Sequence, residues 1–227
     1  MRIHILQHPL AAHFLTHLRD GTTQPALFRL LTKRLTVLLA VEATRKLSLR
    51  PRLVQTPMEP CAGAVLDERL VAVPVLRAGL GMLDPIVEFF PDVAVGYIGL
   101  ERDHATAVAS SYYAKLPPNM DGRTTLLLDP MLATGGSAAQ AVSTLKAAGA
   151  GRVLMLCVVA APEGVEHLNA LHPDVEIYAA GLDRELDSRK YILPGLGDFG
   201  DRLYGTEAAD AASDQNAARP GEAAHGL

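Results

Sequence analysis

The residues best suited to chemistry stand in one run, Asp129-Pro130-Met131-Leu132-Ala133-Thr134-Gly135-Gly136-Ser137. It falls between an apolar stretch, Thr124–Leu128, and a stretch of helical character from Ser137 to Ala148. Adjacent glycines let a backbone approach a phosphate closely. Thr134 and Ser137 offer hydroxyl donors, and the N-terminus of a following helix adds free N–H groups and a favourable dipole. A carboxylate at a strand end, here Asp129, can accept hydrogen bonds from two vicinal hydroxyls, as on a ribose. The run is not a P-loop, because no Gly-Lys-Ser/Thr follows. Thr-Gly-Gly taken alone would also fit an ordinary strand-to-helix turn with a Ser cap.

Three further segments have chemical potential. In Val73-Pro74-Val75-Leu76-Arg77-Ala78-Gly79-Leu80-Gly81-Met82 a guanidinium stands at a strand end among glycines. It can fork onto phosphate oxygens or pair with a surface acid. Glu101-Arg102-Asp103 opens a stretch to Gly122 that reads as long and irregular, the kind of segment that is either functional or disordered. Within it, Tyr112 and Tyr113 read equally well as packing residues. Tyr191-Ile192-Leu193-Pro194-Gly195-Leu196-Gly197-Asp198-Phe199-Gly200-Asp201-Arg202 is rich in glycine, with a proline, which argues against a helix or an interior strand. It can offer backbone N–H and C=O groups to a flat polar ligand, or simply form a C-terminal turn.

These segments need a scaffold, and the intervening sequence predicts one. After Pro25, apolar residues recur at helical spacing from Leu27 to Leu39, predicting a helix to about Lys46, with Leu47–Met58 a connection. Leu70–Leu76, Val93–Leu100, Thr124–Leu128, Arg152–Ala160 and Val175–Ala180 are apolar strands. Helices are expected from the Gly-rich turn toward Phe90, from Ser137 to Ala148 and from about Glu163 to Leu171. Strands of this kind alternating with helices predict an α/β fold with a mostly parallel central sheet flanked by helices. In such sheets ligands bind outside the carboxyl ends of the strands, so the chemistry is expected just after Leu76, Leu100, Leu128 and Ala180.

Composition narrows the function. The chain has 227 residues, a net charge of -4 and 49% hydrophobic residues, enough for one sizeable core and without the clustered Lys and Arg of a nucleic-acid binder. Two cysteines make no disulfide framework, and Cys157 in an apolar run reads as a buried thiol. No signal peptide or membrane-length span is legible, so a soluble cytoplasmic protein is expected. His4, His8, His13 and His17 recur near helical spacing, but Pro9 interrupts the pattern, and no metal site is predicted. From Glu207 to Leu227 the chain is mostly Ala, Gly, Asp and Glu. It therefore divides into a domain, 1–206, and a tail, 207–227, expected to be disordered.

The four segments, in this order, resemble the type I phosphoribosyltransferase family, and the version of the Asp129–Ser137 run resembles its uracil-specific branch. His8-Pro9-Leu10, Glu42-Ala43-Thr44-Arg45 and Val159–Val165 match the family as well, so the resemblance spans about Met1 to Thr206. It implies a small hood formed by the terminal segments, and synthesis of UMP from uracil and phosphoribosyl diphosphate (PRPP). Arg77, Arg102, Asp129 and Asp198 would be catalytic. PRPP would contact these four together with Pro130, Met131, Leu132, Ala133, Thr134, Gly135, Gly136 and Ser137. Ile192, Gly197, Asp198 and Phe199 would hold uracil, and the Arg102–Gly122 stretch would be a lid. Mg2+ is implied, held mainly through PRPP and water, with no dedicated protein cluster. A homodimer or homotetramer is also implied, and the sequence is silent on activation by GTP. This chain departs from the family in three places. Pro130 follows Asp129 where many members outside the uracil branch have a second acid, Phe199 stands where many have Ala, and Thr106-Ala107-Val108-Ala109 differs from the usual lid sequence. Two other readings remain at this point: transfer to another base, and a pyrimidine-sensing RNA-binding regulator, which would call for a basic face.

Overall fold

The computed structural model describes residues 2–102 and 109–206. The residues Asp103 to Val108 and the tail from Glu207 lie outside the described residues. The elements run β1 (Ile3–Ile5), α1 (Pro9–Arg19), α2 (Pro25–Ala43), β2 (Leu49–Gln55), β3 (Pro60–Leu66), β4 (Leu70–Leu76), α3 (Leu80–Phe89), β5 (Ala94–Val95), β6 (Tyr97–Arg102), β7 (Ala109–Lys115), β8 (Thr124–Leu128), β9 (Met131–Leu132), α4 (Gly136–Ala147), β10 (Arg152–Ala160), α5 (Pro162–Leu171), β11 (Glu176–Leu182), β12 (Glu185–Leu186), β13 (Ile192–Leu193) and α6 (Phe199–Tyr204).

The central sheet follows the order β1-β11-β10-β8-β4-β6-β7, with β5 beside β4 and β9 beside β10. All its pairings are parallel except β6 with β7. Strand residues alternate between two apolar layers, as the pleat dictates. Leu126, Leu128, Leu154 and Leu156 join Phe28, Leu35 and Met82 from α2 and α3 on one face. Leu127, Met155 and Cys157 join Ala141, Val142 and Val165 from α4 and α5 on the other. The core is therefore doubly covered, as the unbroken apolar strands require.

The structure corrects several boundaries and adds elements. The helix after Pro25 stops at Ala43, with Thr44 as its C-cap, short of Lys46. Leu47–Met58 is no simple connection, because β2 and β3 pair antiparallel from Leu49↔Leu66 to Gln55↔Pro60 as an exposed hairpin. The stretch after Arg102 is not irregular throughout, since β7 returns along β6 with Tyr113 opposite Gly99. The glycine-rich C-terminal segment does contain a helix, α6, because Asp198 caps it by accepting from the Asp201 N–H at 2.9 Å. The four N-terminal histidines do not share an element. His4 is on β1, stacked on Tyr178, and His8 caps α1 through its Nδ1. His13 and His17 lie on α1.

Candidate active site

β4 and β8 are neighbours in the sheet, yet the next large strand after β4 (β6) lies on its far side and the next large strand after β8 (β10) lies on the opposite side. Successive crossovers thus diverge between β4 and β8, and the carboxyl edge of the sheet opens there. Arg77 immediately follows β4, and Asp129 immediately follows β8. Gly79 fixes their closeness. A Cβ at this position would stand 2.3 Å from the Leu128 carbonyl oxygen and 2.7 Å from that of Val75. The Arg77 turn therefore lies directly on the end of β8, and any side chain at Gly79 would drive the two apart. The Leu76–Arg77 peptide is cis. Arg77 is exposed, and among the described residues its guanidinium makes no hydrogen bond or ion pair.

The Asp129–Ser137 run is built onto β10. The Asp129 N–H donates to the Leu156 carbonyl at 3.2 Å, the Pro130 carbonyl accepts from Val158 and Val159, and β9 pairs with β10 at Val159 and Ala160. Gly135, with φ at +79°, is the N-cap of α4 and, as a glycine, supplies no side-chain cap of its own. Ser137 lies inside the first turn, so the Ser-cap alternative is corrected. The first N–H groups of α4 lack intrahelical partners, as at every helix start. They adjoin a cleft of about 180 Å³ whose lining includes Leu76, Arg77, Asp129, Thr134, Gly135 and Ser137. Cys157 lies beneath. Burial, and after it the charge of Asp129, pushes its thiol well above the usual range. A roomier hollow of about 540 Å³ opens at the amino ends of β4 and β8, between Leu66, Arg69, Phe89 and Arg123. None of the four chemical segments lines it.

Arg102 ends β6, which is parallel to β4 and paired at Val75↔Ile98 and Leu76↔Gly99. It therefore points the chain to the same edge as Arg77. Asp103 and Thr106 to Val108 lie outside the described residues, so that part of the expected lid is not placed. A Cβ on Gly99 would meet the Tyr112 ring at 2.5 Å, so this tyrosine packs on β6.

The C-terminal segment reaches the cleft from the side. The Tyr204 hydroxyl donates to the Arg77 carbonyl at 3.2 Å, and Leu203 lies where a Cβ on Gly81 would be, 2.7 Å from it. α6 thus docks on the turn that carries Arg77. Ile192 is buried, and Asp198 is exposed. Phe199 faces the core, edge-on to Phe28 with ring centroids 5.0 Å apart, so of the two orientations open to this aromatic the inward one is found. Ile192, Gly197, Asp198 and Phe199 do not line the 180 Å³ cleft itself. Sequence reasoning assigned no role to Arg202 or Tyr204. Arg202 is buried, with its guanidinium 4.5 Å over the Phe28 ring, and donates to the carbonyls of Leu18, Leu196 (2.7 Å) and Asp20 (2.6 Å). An arginine among glycines near a chain end gives no hint of such burial.

Comparison with known proteins agrees with this geometry. The family described as uracil phosphoribosyltransferase matches residues 5–206. A uracil phosphoribosyltransferase of Roseiflexus castenholzii is 53% identical over 205 residues, covering 90% of this chain and 99% of that one. One from Listeria innocua is 48% identical over 206 residues, with the same coverage. A solved structure of a protein from Aquifex aeolicus superposes with a TM-score of 0.86 at 35% identity, covering 91% of this chain and 99% of that one. An adenine phosphoribosyltransferase of Trypanosoma brucei shares the fold, with a TM-score of 0.52 at 13% identity over 80% of this chain and 84% of that one.

Proposed function

The chain belongs to the uracil phosphoribosyltransferase family, and we propose that it joins uracil to the ribose of PRPP, giving UMP and diphosphate, with PRPP at the Arg77 and Asp129–Ser137 loops and uracil at the Ile192–Phe199 segment. The observation that carries this reading is the seating of the Arg77 turn on the end of the strand that leads to Asp129, across the point where the sheet's crossovers diverge. A guanidinium with no hydrogen bond or ion pair among the described residues, a carboxylate and a helix N-terminus that begins at a glycine, all around a single cleft, suit a sugar bearing phosphates.

The chemistry follows from those groups. A uracil ring nitrogen attacks the anomeric carbon, the bond from that carbon to the diphosphate oxygen breaks with its electron pair leaving on diphosphate, and the nitrogen's proton passes to water or the departing diphosphate. The sugar passes through a cationic, oxocarbenium-like state. Arg77 and Arg102 offset charge on the departing diphosphate. Asp129 accepts from the ribose hydroxyls, and its negative charge favours the cationic sugar. Holding both reactants in line contributes roughly 7–11 kcal/mol. Asp198 accepts from the Asp201 N–H through one carboxylate oxygen, and among the described residues the other makes no hydrogen bond. The Mg2+ that this family generally uses with PRPP fits a cleft with Asp129 and a ligand rich in phosphate oxygens. It supplies further neutralisation of the diphosphate.

The decisive experiment measures UMP formed from labelled uracil and PRPP, with adenine, guanine, hypoxanthine and cytosine as controls and RNA filter binding alongside. UMP alone supports the reading. Preference for another base, or RNA binding without transfer, overturns it.

The exposed hairpin supports the further proposal that the chain works as a homodimer or homotetramer. Leu49, Leu53 and Leu66 on it are 61%, 73% and 47% exposed, more apolar surface than an isolated hairpin tolerates. Sedimentation of Leu53→Asp should show a smaller species than the parent chain. An unchanged mass would remove the hairpin from any such contact.

A further inference from the structure

We propose that Arg19 and Asp183 are positioning residues for uracil: their ion pair grips the Gly195 peptide and so sets the backbone that reads the base. The proposal rests on the reading of Ile192–Phe199 as the uracil segment.

Asp183 follows directly on β11, and its side chain is only 4% exposed. A carboxylate taken out of water at such a place is costly unless its oxygens are paired. Three donors meet it. Arg19 on the last turn of α1 donates through Nη2 to Oδ1 at 2.5 Å and through Nη1 to Oδ2 at 2.8 Å, a bidentate fork. The third is the Gly195 N–H, 2.8 Å from Oδ2. The arginine reaches the same residue from its other side, Nη1 donating to the Gly195 carbonyl at 2.7 Å. Both polar groups of Gly195 are therefore held by one ion pair that bridges α1 and β11.

The gripped residue is a demanding one. Gly195 has φ at +61°, and a Cβ there would stand 2.1 Å from the Ile192 carbonyl oxygen. The turn is thus closed so tightly that its path fixes the relation between Ile192 before it and Gly197 after it. Neighbouring groups are held as well. The Leu193 carbonyl accepts from the Arg184 N–H at 2.9 Å, and the Leu196 carbonyl accepts from Arg202. Space for the fork is left at Gly181, where a Cβ would approach Arg19 Nη2 to 3.2 Å. Uracil carries no charge for the enzyme to hold, so discrimination among bases falls to the placement of backbone donors and acceptors, where small displacements cost affinity. Arg19 and Asp183 touch no reacting atom in this scheme and act only through the loop.

The test is steady-state kinetics for both substrates in Asp183→Asn and Arg19→Lys, with melting temperatures and with Gly197→Ala as the comparison. Asp183→Asn keeps the shape but loses the charge; Arg19→Lys keeps the charge but loses the fork, and its more exposed site keeps it foldable if the Asn variant is not. We expect KM for uracil to rise about tenfold or more in both, with KM for PRPP within about twofold and kcat at saturating uracil reduced less than about threefold, the pattern of lost ground-state placement. A merely stabilising pair would lower the melting temperature and the active fraction while leaving both KM values in place, and that result overturns the proposal. If Gly197→Ala raises KM for uracil while the ion-pair variants do not, the positioning role alone fails. If none of the three variants moves it, the uracil segment itself has been misassigned and the proposal falls with it.

Discussion

Arg77→Ala should separate function from folding. The guanidinium is exposed and among the described residues makes no hydrogen bond or ion pair. Its removal takes nothing from the core, so stability should change by no more than about 0.5 kcal/mol. The turn itself is kept by contacts that do not involve the side chain: the Gly79 N–H donates to the Val75 carbonyl at 2.9 Å, and Tyr204 holds the Arg77 carbonyl. On the proposed role, what would be lost is a charge-assisted contact to the leaving diphosphate, each such bond contributing on the order of 1.5–3 kcal/mol. A forked contact strengthening in the transition state then predicts a fall of roughly 10²–10⁴-fold in kcat/KM for PRPP. Thermal unfolding measured beside initial rates over a wide PRPP range is the assay. A variant with normal melting and normal turnover at every PRPP concentration would refute both the role and the premise that the unpaired charge awaits a ligand.

Asp129→Asn should lower both turnover and PRPP affinity while leaving KM for uracil nearly unchanged, because the two substrates are read by different loops; initial rates against each substrate decide it. Glu176 provides a pH prediction. Burial would raise its carboxyl, but hydrogen bonds from Arg152 and Tyr178, with the charges of Arg152 and Lys46, outweigh this and bring it from 4.5 down to about 2. A carboxyl depressed by folding stabilises fully above its unfolded value and loses that contribution as pH falls from 4.5 toward 2. Glu176→Gln should therefore melt lower than the parent chain at pH 7, and the gap should close across that window in a pH series of melting curves. Deleting Glu207–Leu227 should leave melting temperature and UMP synthesis nearly unaltered, since the family match ends at residue 206 and the segment carries a single large apolar residue; a clear drop in either would show that it docks.

The sheet and its loops were legible because their signals are local. Unbroken apolar strands such as Leu70–Leu76 and Arg152–Ala160 appear with the bounds expected, and Arg77 and Asp129 stand where a strand-end reading puts them. The parts that were not legible depend on partners distant in sequence. β2 and β3 are exposed on nearly every residue, so no apolar alternation marks them. β7 has Ser110, Ser111 and two tyrosines in place of a strand-like apolar run, and its pairing comes from β6. α6 is only 6 residues long, too short for periodicity to register, and it exists because Asp198 caps it and Leu203 packs on α3. The ion pair of Arg19 and Asp183 joins residues 164 apart in sequence, a relation no local pattern contains.

On the proposed assignment of the two substrates, the two halves of the site are built on opposite principles. PRPP is highly charged, and binding it requires charges that are not already satisfied by the protein. Among the described residues the Arg77 guanidinium makes no hydrogen bond or ion pair, and α4 starts at a glycine that has no side chain to cap it. Uracil is neutral and flat, so it offers only the positions of its donors and acceptors. On that side the protein does the reverse. Arg19, Asp183 and Arg202 have their charges committed to backbone groups of Gly195, Leu196, Leu18 and Asp20, which stiffens a glycine-rich segment that would otherwise pay conformational entropy on binding. On the proposed assignment, Arg77 serves the charged substrate, and the charges consumed in scaffolding serve the neutral one. The division also assigns the expected signatures of damage. Losses on the first side should appear in PRPP kinetics with little change in stability, whereas losses on the second should appear in uracil KM together with some loss of melting temperature. The Tyr204 contact to the Arg77 carbonyl is where the two sides meet, joining the segment proposed to read the base to the turn proposed to hold the leaving group.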